Sequence, residues 1–124
     1  MAAERPKWHG GKSCAAMITV NLNAELFWLQ IDPECKNMPK TLSLGQYGMT
    51  RGVDRILQVL EEKNIKATFF VPGWVAENYP ETICEIADRG HEIASLAYHH
   101  EHMALLGEEE QEEAIRKSLS LIHI

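Results

Sequence analysis

Short apolar, β-rich stretches alternate with amphipathic helical patterns along most of this chain. Stretches of the first kind predict buried strands at Cys14–Leu22, Ile65–Val71 and His91–Leu96. Helical patterns follow them at Thr50–Lys63, Pro80–Arg89 and Glu108–Ile122. Alternation of strand and helix is typical of a parallel sheet whose strands are joined by helical crossovers. The sequence therefore predicts an α/β fold with about three parallel βα units.

Two further segments carry predictions of their own. Leu26–Gly48 has no sustained apolar period, so we expect a long loop there. Loops of that length inside a compact domain often form lids or walls of functional sites. In the last predicted helix, Ile115, Leu119 and Ile122 share one face, which we expect to be buried.

Composition excludes several classes of function before any motif is considered. The 124 residues are enough for one domain with a modest core, and 45% of them are hydrophobic. A net charge of −6 without a basic face argues against a nucleic-acid partner. No apolar run approaches the length of a membrane span, so no membrane partner is expected.

The N-terminus and the cysteines indicate the expected cellular setting. Residues 1–13 are polar and lack the apolar centre of a signal peptide, and we expect a flexible lead-in. The three cysteines are widely spaced and form no CxxC pair, which argues against a disulfide framework. Cys14 and Cys84 are expected to be buried, inert thiols. A cytoplasmic location is therefore predicted.

Polar residues follow the first predicted strand at the point where it ends. Asn21, Asn23 and Glu25 point the same way if the extended conformation persists. In parallel sheets, ligands bind beyond the carboxyl ends of the strands. Glu25 carries the only charge in this group, and an asparagine lends an oxygen but cannot act as a base. Taken alone, the group is more typical of a polar strand end than of a site.

A dense group of histidines follows the third predicted strand. His99, His100 and His102 lie beyond its carboxyl end, and imidazole is the commonest metal ligand. In an extended chain His100 and His102 share a face, whereas His99 points away. A solvated histidine-rich loop is the alternative interpretation. His91 begins the strand, far from this edge, and we expect it to have a structural role.

Two aromatic residues are candidates for a substrate-binding wall. Trp74 and Tyr98 each follow a predicted strand end, on the side of the sheet where ligands bind. The pair Phe69–Phe70 lies inside a predicted strand and is expected in the core. The glutamates within residues 108–113 are expected to form a solvated first helical turn, which the helix dipole stabilises.

From about Lys12 to Leu121 the sequence resembles the NodB-type polysaccharide deacetylases. Ile65–Gly73 followed by Pro80–Ile93 is the most specific part, and the resemblance is closest to peptidoglycan deacetylase-like and allantoinase- or imidase-like proteins. It implies a distorted (β/α) barrel, of which residues 14–124 would form the N-terminal part. It also implies hydrolysis of a non-peptide carbon–nitrogen bond, in an N-acetylated sugar or a small amide.

The resemblance further implies a divalent metal, often zinc, held by one aspartate and two histidines. A second aspartate acts as the base on the metal-bound water. In this chain Asn21 stands at the position of the base and Asn23 at that of the metal-binding aspartate. The two histidine positions are Leu96 and His100, so only His100 matches. The sequence therefore predicts a degenerate metal site.

Two functions follow from how the missing groups are replaced. Glu25 is a candidate for the missing carboxylate, and His99 or His102 for the histidine absent at Leu96. With such replacements the chain is a metal-dependent polysaccharide or amide deacetylase. Without them it is a non-catalytic relative that binds a sugar, an amide or another protein. Because three βα units cannot close a barrel, the open edges also predict a truncated product or a homo-oligomer.

Overall fold

Three parallel strands form one sheet at the centre of the fold, which a computed structural model describes for residues 7–122. The strands are β1 (Thr19–Asn21), β2 (Thr68–Val71) and β3 (Glu92–Ser95). They lie in the order β1-β2-β3, and both neighbouring pairs are parallel. The predicted parallel sheet with helical crossovers is confirmed.

Helices connect the strands and cover the sheet. They are α1 (Leu26–Ile31), α2 (Pro39–Tyr47), α3 (Val53–Glu62), α4 (Gly73–Asn78), α5 (Pro80–Asp88) and α6 (Glu108–Ile122). A π-helical turn at Gly48–Gly52 joins α2 to α3. Within residues 7–122, none of the helices combines the length and the apolar character that crossing a membrane requires.

The hydrophobic core lies around the central strand β2. Phe69 and Val71 of β2 are fully buried, together with Leu57 of α3, Val75 of α4 and Ile86 of α5. Burying a side chain of this size typically stabilises a protein by about 1.5–3 kcal/mol. Because β2 has a strand on each side and packed helices around it, the carboxyl ends of all three strands are held in fixed positions.

The strand β1 is shorter than predicted because its partner begins late. Thr19 lies opposite Thr68, which is the first residue of β2, so the chain before Thr19 has no strand segment beside it. The prediction of a buried strand over residues 14–22 is therefore wrong for the part before Thr19, which is exposed. Cys14 and Cys84 are both exposed, so the prediction of buried thiols is also wrong.

The predicted loop Leu26–Gly48 instead folds mainly into helices. Pro33 begins a 3-10 turn and Pro39 begins α2, at positions where the missing proline N–H is not needed. The Asp32 side chain caps the 3-10 turn by accepting a hydrogen bond from the backbone N–H of Glu34 at 2.9 Å. The helix α1 has only 6 residues and α2 has no buried residue, so neither displays a sustained apolar stripe.

The buried face of α6 also differs from the prediction. Ile115 and Leu119 are 45% and 40% exposed, whereas Ala114 and Ser118 are buried. At Gly73 of α4 an added Cβ would lie 3.1 Å from the Ser118 Cα, so the two helices approach closely. Small side chains face inward here because larger ones would not fit between the helices.

His91 is buried at the amino edge of the sheet, in agreement with the structural role expected for it. Its Nδ1 accepts a hydrogen bond from the Ala67 backbone N–H at 3.2 Å, and its ring packs edge-on against Phe69. Burial lowers the pKa of His91 below its ordinary value, and the charges of Lys66 and Arg89 lower it further. A neutral imidazole therefore joins the start of β3 to the chain just before β2.

Candidate functional site

The carboxyl end of β1 turns sharply after Asn21. Ala24 has a φ of +49°, in the left-handed region, and the Leu26 N–H donates to the Asn23 carbonyl at 3.0 Å. The extended conformation therefore does not persist as far as Glu25. As a result, the regular alternation that would align Asn21, Asn23 and Glu25 is broken.

The side-chain oxygen of Asn23 is buried and has no hydrogen-bond partner among the residues that the structure describes. An unpaired buried acceptor typically costs about 1–3 kcal/mol, so such groups in native proteins call for an explanation. The oxygen can accept a hydrogen bond from an N–H or O–H group, or it can bind a cation. Asn23 is therefore the strongest indication of a ligand at this edge of the sheet.

Glu25 is bound by Tyr79, a contact that was not predicted from the sequence. Both carboxylate oxygens accept from the Tyr79 hydroxyl, at 2.9 and 2.7 Å. Burial raises the pKa of Tyr79 above its ordinary value, and the hydrogen bond to Glu25 and its negative charge raise it further. This contact ties the start of α1 to the junction of α4 and α5, so the Glu25 carboxylate already has a structural partner.

The loop after β3, residues 97–102, carries the histidines and is anchored on α4. The N–H groups of Gly73 and Trp74 donate to the carbonyls of Ala97 and Tyr98 at 2.8 and 2.9 Å. Ala97 and His100 have φ values of +55° and +57°, in the left-handed region. A non-glycine residue in this region typically costs about 1–2 kcal/mol, so the surrounding contacts must hold the loop in place.

Gln30 of α1 links the ends of β1 and β3. Its Nε2 donates to the backbone carbonyl of His99 and, at 3.4 Å, to that of His100. The helix α1 follows β1 directly, so this contact places the polar end of β1 beside the histidine loop. The two polar groups therefore meet at one edge of the sheet, as the parallel arrangement predicts.

The histidines do not form one cluster. The His99 Nδ1 lies 3.7 Å from Glu101, and the ring packs edge-on against Tyr98. His99 thereby lines a groove of about 280 Å³ between the histidine loop and α6. His100 and His102 are both exposed, and His102 precedes the 3-10 turn Met103–Leu105.

Trp74 and Tyr98, the candidates for a substrate wall, both have contacts within the fold. Trp74 is partly buried and packs against the hydrophobic core. The Tyr98 hydroxyl donates to Glu77 at 2.5 Å, and the Lys117 ammonium lies 3.5 Å from the centre of the Tyr98 ring. A substrate-binding role for these two residues stays a prediction.

Sequence reasoning missed the roles of Gln30 and Tyr79. Gln30 is the only polar side chain in the stretch Leu26–Ile31, and a lone polar residue in an apolar run is a signal that could have identified it. Tyr79 has no such signal, because its partner Glu25 is 54 residues away in sequence.

The side chains at this edge do not fit the zinc site that the resemblance implies. Asn21 and Asn23 are neutral, Leu96 has no donor atom, and His100 is the one matching ligand. Across residues 7–122, no three His, Cys, Asp or Glu side chains are grouped so that they could hold a metal ion. Zinc in proteins is bound by thiolates, imidazoles and carboxylates, and the unpaired oxygen of Asn23 does not replace them.

Comparison with known sequences identifies relatives that share one activity. The profile of the polysaccharide deacetylase family matches residues 41–123. Peptidoglycan deacetylase of Helicobacter pylori is 30% identical over 87 residues, which cover 70% of this chain and 30% of that protein. Peptidoglycan-N-acetylglucosamine deacetylase of Bacillus cereus is 36% identical over 69 residues, which cover 56% of this chain and 25% of that protein. The chain thus spans less than a third of the length of these relatives.

Solved structures share the fold. A crystal structure described as a polysaccharide deacetylase from Mycobacterium smegmatis matches with a TM-score of 0.90 and 36% identity, over 98% of this chain and 42% of that chain. A peptidoglycan N-acetylglucosamine deacetylase in complex with a naphthalenyl N-hydroxybenzamide matches with a TM-score of 0.56 and 35% identity, over 57% of this chain and 33% of that chain. A CE4-family pseudoenzyme from Bacillus anthracis shares the fold, with a TM-score of 0.62 and 20% identity. The match covers 86% of this chain and 30% of the pseudoenzyme chain. The predicted NodB-like fold is confirmed.

Proposed function

Because the chain belongs to the polysaccharide deacetylase family, we propose that residues 14–124 form the N-terminal part of the deacetylase domain in a protein that deacetylates N-acetylated sugar chains. In this reaction water adds to the acetyl carbonyl carbon, the carbon–nitrogen bond breaks, and acetate and a free amine are released. The activity is proposed for the whole protein, since this chain spans 30% of the length of the Helicobacter pylori relative.

The observation that carries this proposal is the close match to a polysaccharide deacetylase fold over 98% of the chain, at 36% identity and a TM-score of 0.90. This match supports assigning the site to the ends of β1 and β3, which is where the resemblance implies it. An N-acetylated sugar is favoured over a small amide because the curated relatives are named as peptidoglycan deacetylases.

His100 is the residue at this edge that matches one of the family's histidine positions. Its side chain is exposed, so its ring nitrogens can contact a substrate directly. The donor atoms of residues 7–122 do not form a site for a divalent metal.

A second candidate function is recognition of the sugar chain without hydrolysis. The observation that favours it is the set of uncharged residues Asn21, Asn23 and Leu96 at the positions of the family's base and metal ligands. Glu25 and His99 have other partners, Tyr79 and Glu101, which disfavours their use as replacements.

Acetate release from an N-acetylglucosamine oligosaccharide, with and without added zinc, distinguishes the two candidates. Deacetylation predicts acetate release that falls strongly in His100→Ala, because His100 is the one family histidine that this chain retains. The matched control is His9→Ala, which removes an exposed histidine that belongs to neither group of candidate residues and should leave the rate unchanged. Saturable binding without acetate release supports recognition alone, and absence of both overturns both candidates.

A further inference from the structure

A cavity of about 130 Å³ lies at the amino edge of the sheet, opposite the edge that carries the histidine loop. It is bounded by the end of α3, the chain just before β2 and the turn that joins α5 to β3. One water molecule takes up about 30 Å³, so the cavity has room for a small organic molecule. Its lining includes three nitrogen-bearing side chains that the proposed function does not use, those of Lys66, Arg89 and His91.

His91 has one ring nitrogen without a hydrogen-bond partner among residues 7–122. Its Nδ1 accepts from the Ala67 backbone N–H at 3.2 Å, so the neutral ring carries its proton on Nε2. The ring is 8% exposed and lines the cavity. Unlike the Asn23 oxygen, Nε2 is not fully enclosed. The Nε2–H group is therefore a nearly buried donor that remains accessible to a ligand.

Lys66 supplies a positive charge that forms no ion pair in the described part of the chain. Its Nζ donates to the Arg89 carbonyl at 2.6 Å, which holds the ammonium at the wall of the cavity. An added Cβ at Gly90 would lie 3.2 Å from this Nζ, so the glycine permits the close approach. An ammonium has three N–H donors, and this contact leaves the others available.

Arg89 adds little net charge, because its guanidinium is already paired. It binds Glu61 at 3.1 Å and Glu85 at 2.8 Å. Among the lining residues, Glu61 alone carries a carboxylate, and Arg89 engages it. Burial lowers the pKa of His91, and the charges of Lys66 and Arg89 lower it further, which indicates a positive potential at the ring. The cavity therefore offers one uncompensated positive charge, that of Lys66.

The remaining lining of the cavity is largely apolar and comes from Leu57, Leu60 and Ile65. One positive charge, one nearly buried N–H donor and an apolar wall together match a carboxylate that carries a short hydrocarbon tail. A phosphate dianion fits less well, because its second charge has no partner here and it has no apolar part.

We propose that this amino-edge cavity binds a short-chain monocarboxylate. Its oxygens accept from the His91 Nε2–H and the Lys66 ammonium, and its tail packs against the apolar side chains of the lining. The bound molecule joins the chain before β2 to the turn before β3, so it stabilises the folded chain by mass action. The inference goes beyond the proposed function, since it concerns the other edge of the sheet and different residues.

Titration of the whole chain with butyrate, at an ionic strength held constant with chloride, tests the site. The ring nitrogen signals of His91, followed by NMR, should shift saturably as butyrate binds. Acetate should bind at least about fourfold more weakly than butyrate, since it lacks two CH₂ groups that leave water on binding. Inorganic phosphate should bind at least about tenfold more weakly than butyrate.

Variants of Lys66 identify the charge that binds the carboxylate. Lys66→Met keeps much of the apolar stem but removes the charge, and should weaken butyrate binding at least about tenfold. Lys66→Arg keeps the charge and should bind within about threefold of the unchanged chain. The matched control is Lys63→Met, which removes an exposed positive charge at the end of α3, outside the cavity lining, and should leave the affinity unchanged.

Thermal melts establish that each variant folds, and butyrate should raise the melting temperature of the unchanged chain and of Lys63→Met but not of Lys66→Met. Lack of saturable butyrate binding by the unchanged chain would overturn the proposal. Equal losses in Lys66→Met and Lys63→Met would also overturn it, because they would show a diffuse effect of charge. Phosphate binding as tight as that of butyrate would refute the carboxylate assignment. None of these measurements requires hydrolysis of a sugar, so their outcome is independent of the proposed function.

Discussion

The two edges of the sheet use histidine in opposite ways. At the amino edge, His91 is buried, accepts a hydrogen bond from Ala67 and packs against Phe69. At the carboxyl edge, His100 is exposed and sits in a left-handed conformation. The side-chain oxygen of Asn23 at the same edge is buried without a partner.

This difference separates residues that stabilise the fold from residues that are available to a substrate. Paired, buried polar groups such as His91 hold two strands together. The unpaired side-chain oxygen of Asn23 costs stability, and so do the positive φ angles of Ala97 and His100. Such features are concentrated at functional sites, so the carboxyl edge is the one to which the proposed function should be assigned.

The largest expected effect is the return of a metal site at the carboxyl edge. We predict that Asn23→Asp combined with Leu96→His binds zinc more than about 100-fold more tightly than the unchanged chain, since it adds a carboxylate and an imidazole beside His100. Competition with a chromophoric chelator measures the affinity, and cobalt absorption reports the geometry. Asn23→Asp combined with Leu96→Ala, which lacks the imidazole, is the control. Equal zinc affinity in the unchanged chain would contradict the conclusion that the side chains at the carboxyl edge do not fit a zinc site.

Removing the buried acceptor at the amino edge should have the next largest effect. His91→Leu fills the buried position with an apolar side chain but leaves the Ala67 N–H without a partner. This loss should lower the free energy of unfolding by about 1–3 kcal/mol. His102→Ala, at an exposed position, should change it by less than about 0.5 kcal/mol. Urea denaturation measures both. Equal effects of the two substitutions would show that the histidines of the two edges contribute equally to stability.

The same contact predicts that the stability of the fold depends on pH through His91. Because the folded protein lowers the pKa of His91, the unfolded chain takes up the proton first as the pH falls. The stability from the neutral imidazole is present above the unfolded pKa, about 6.5, and is lost as the pH falls from there towards the folded pKa. Urea denaturation at several pH values should show this loss in the unchanged chain. The loss should be smaller in His91→Leu and unaltered in His102→Ala.

The smallest expected effect concerns the strained backbone of the carboxyl edge. Ala97→Gly should raise the free energy of unfolding by about 0.5–1 kcal/mol, because glycine adopts a positive φ without steric cost. Ala104→Gly in the neighbouring 3-10 turn, where φ is not positive, should lower it instead. Thermal and urea denaturation of the two variants measure the contrast. A loss of stability in both would mean that the conformation of Ala97 is not strained.

The parallel sheet could be predicted because its signals are local. The strand β2 is an apolar run that ends before Pro72, and α3 carries a stripe of apolar residues at Val53, Ile56, Leu57 and Leu60. Both patterns lie within one short segment, so predicting these elements requires no knowledge of distant contacts. The segment between β1 and α3 could not be predicted, because helices as short as α1 take their stability from tertiary packing rather than from a repeated pattern. The buried face of α6 was missed for a related reason, since Gly73 of α4 decides which side chains fit against it.

The sequence by itself predicted the parallel βα units, the edge at which polar residues meet, and uncharged side chains at Asn21, Asn23 and Leu96, where the resemblance implies a base and metal ligands. These conclusions depend on residue identity and spacing along the chain. Only the tertiary structure decided that Glu25 is bound by Tyr79 and that α1 faces the histidine loop through Gln30. Those contacts join residues 54 and 69 positions apart, and no local pattern encodes a pairing over such distances.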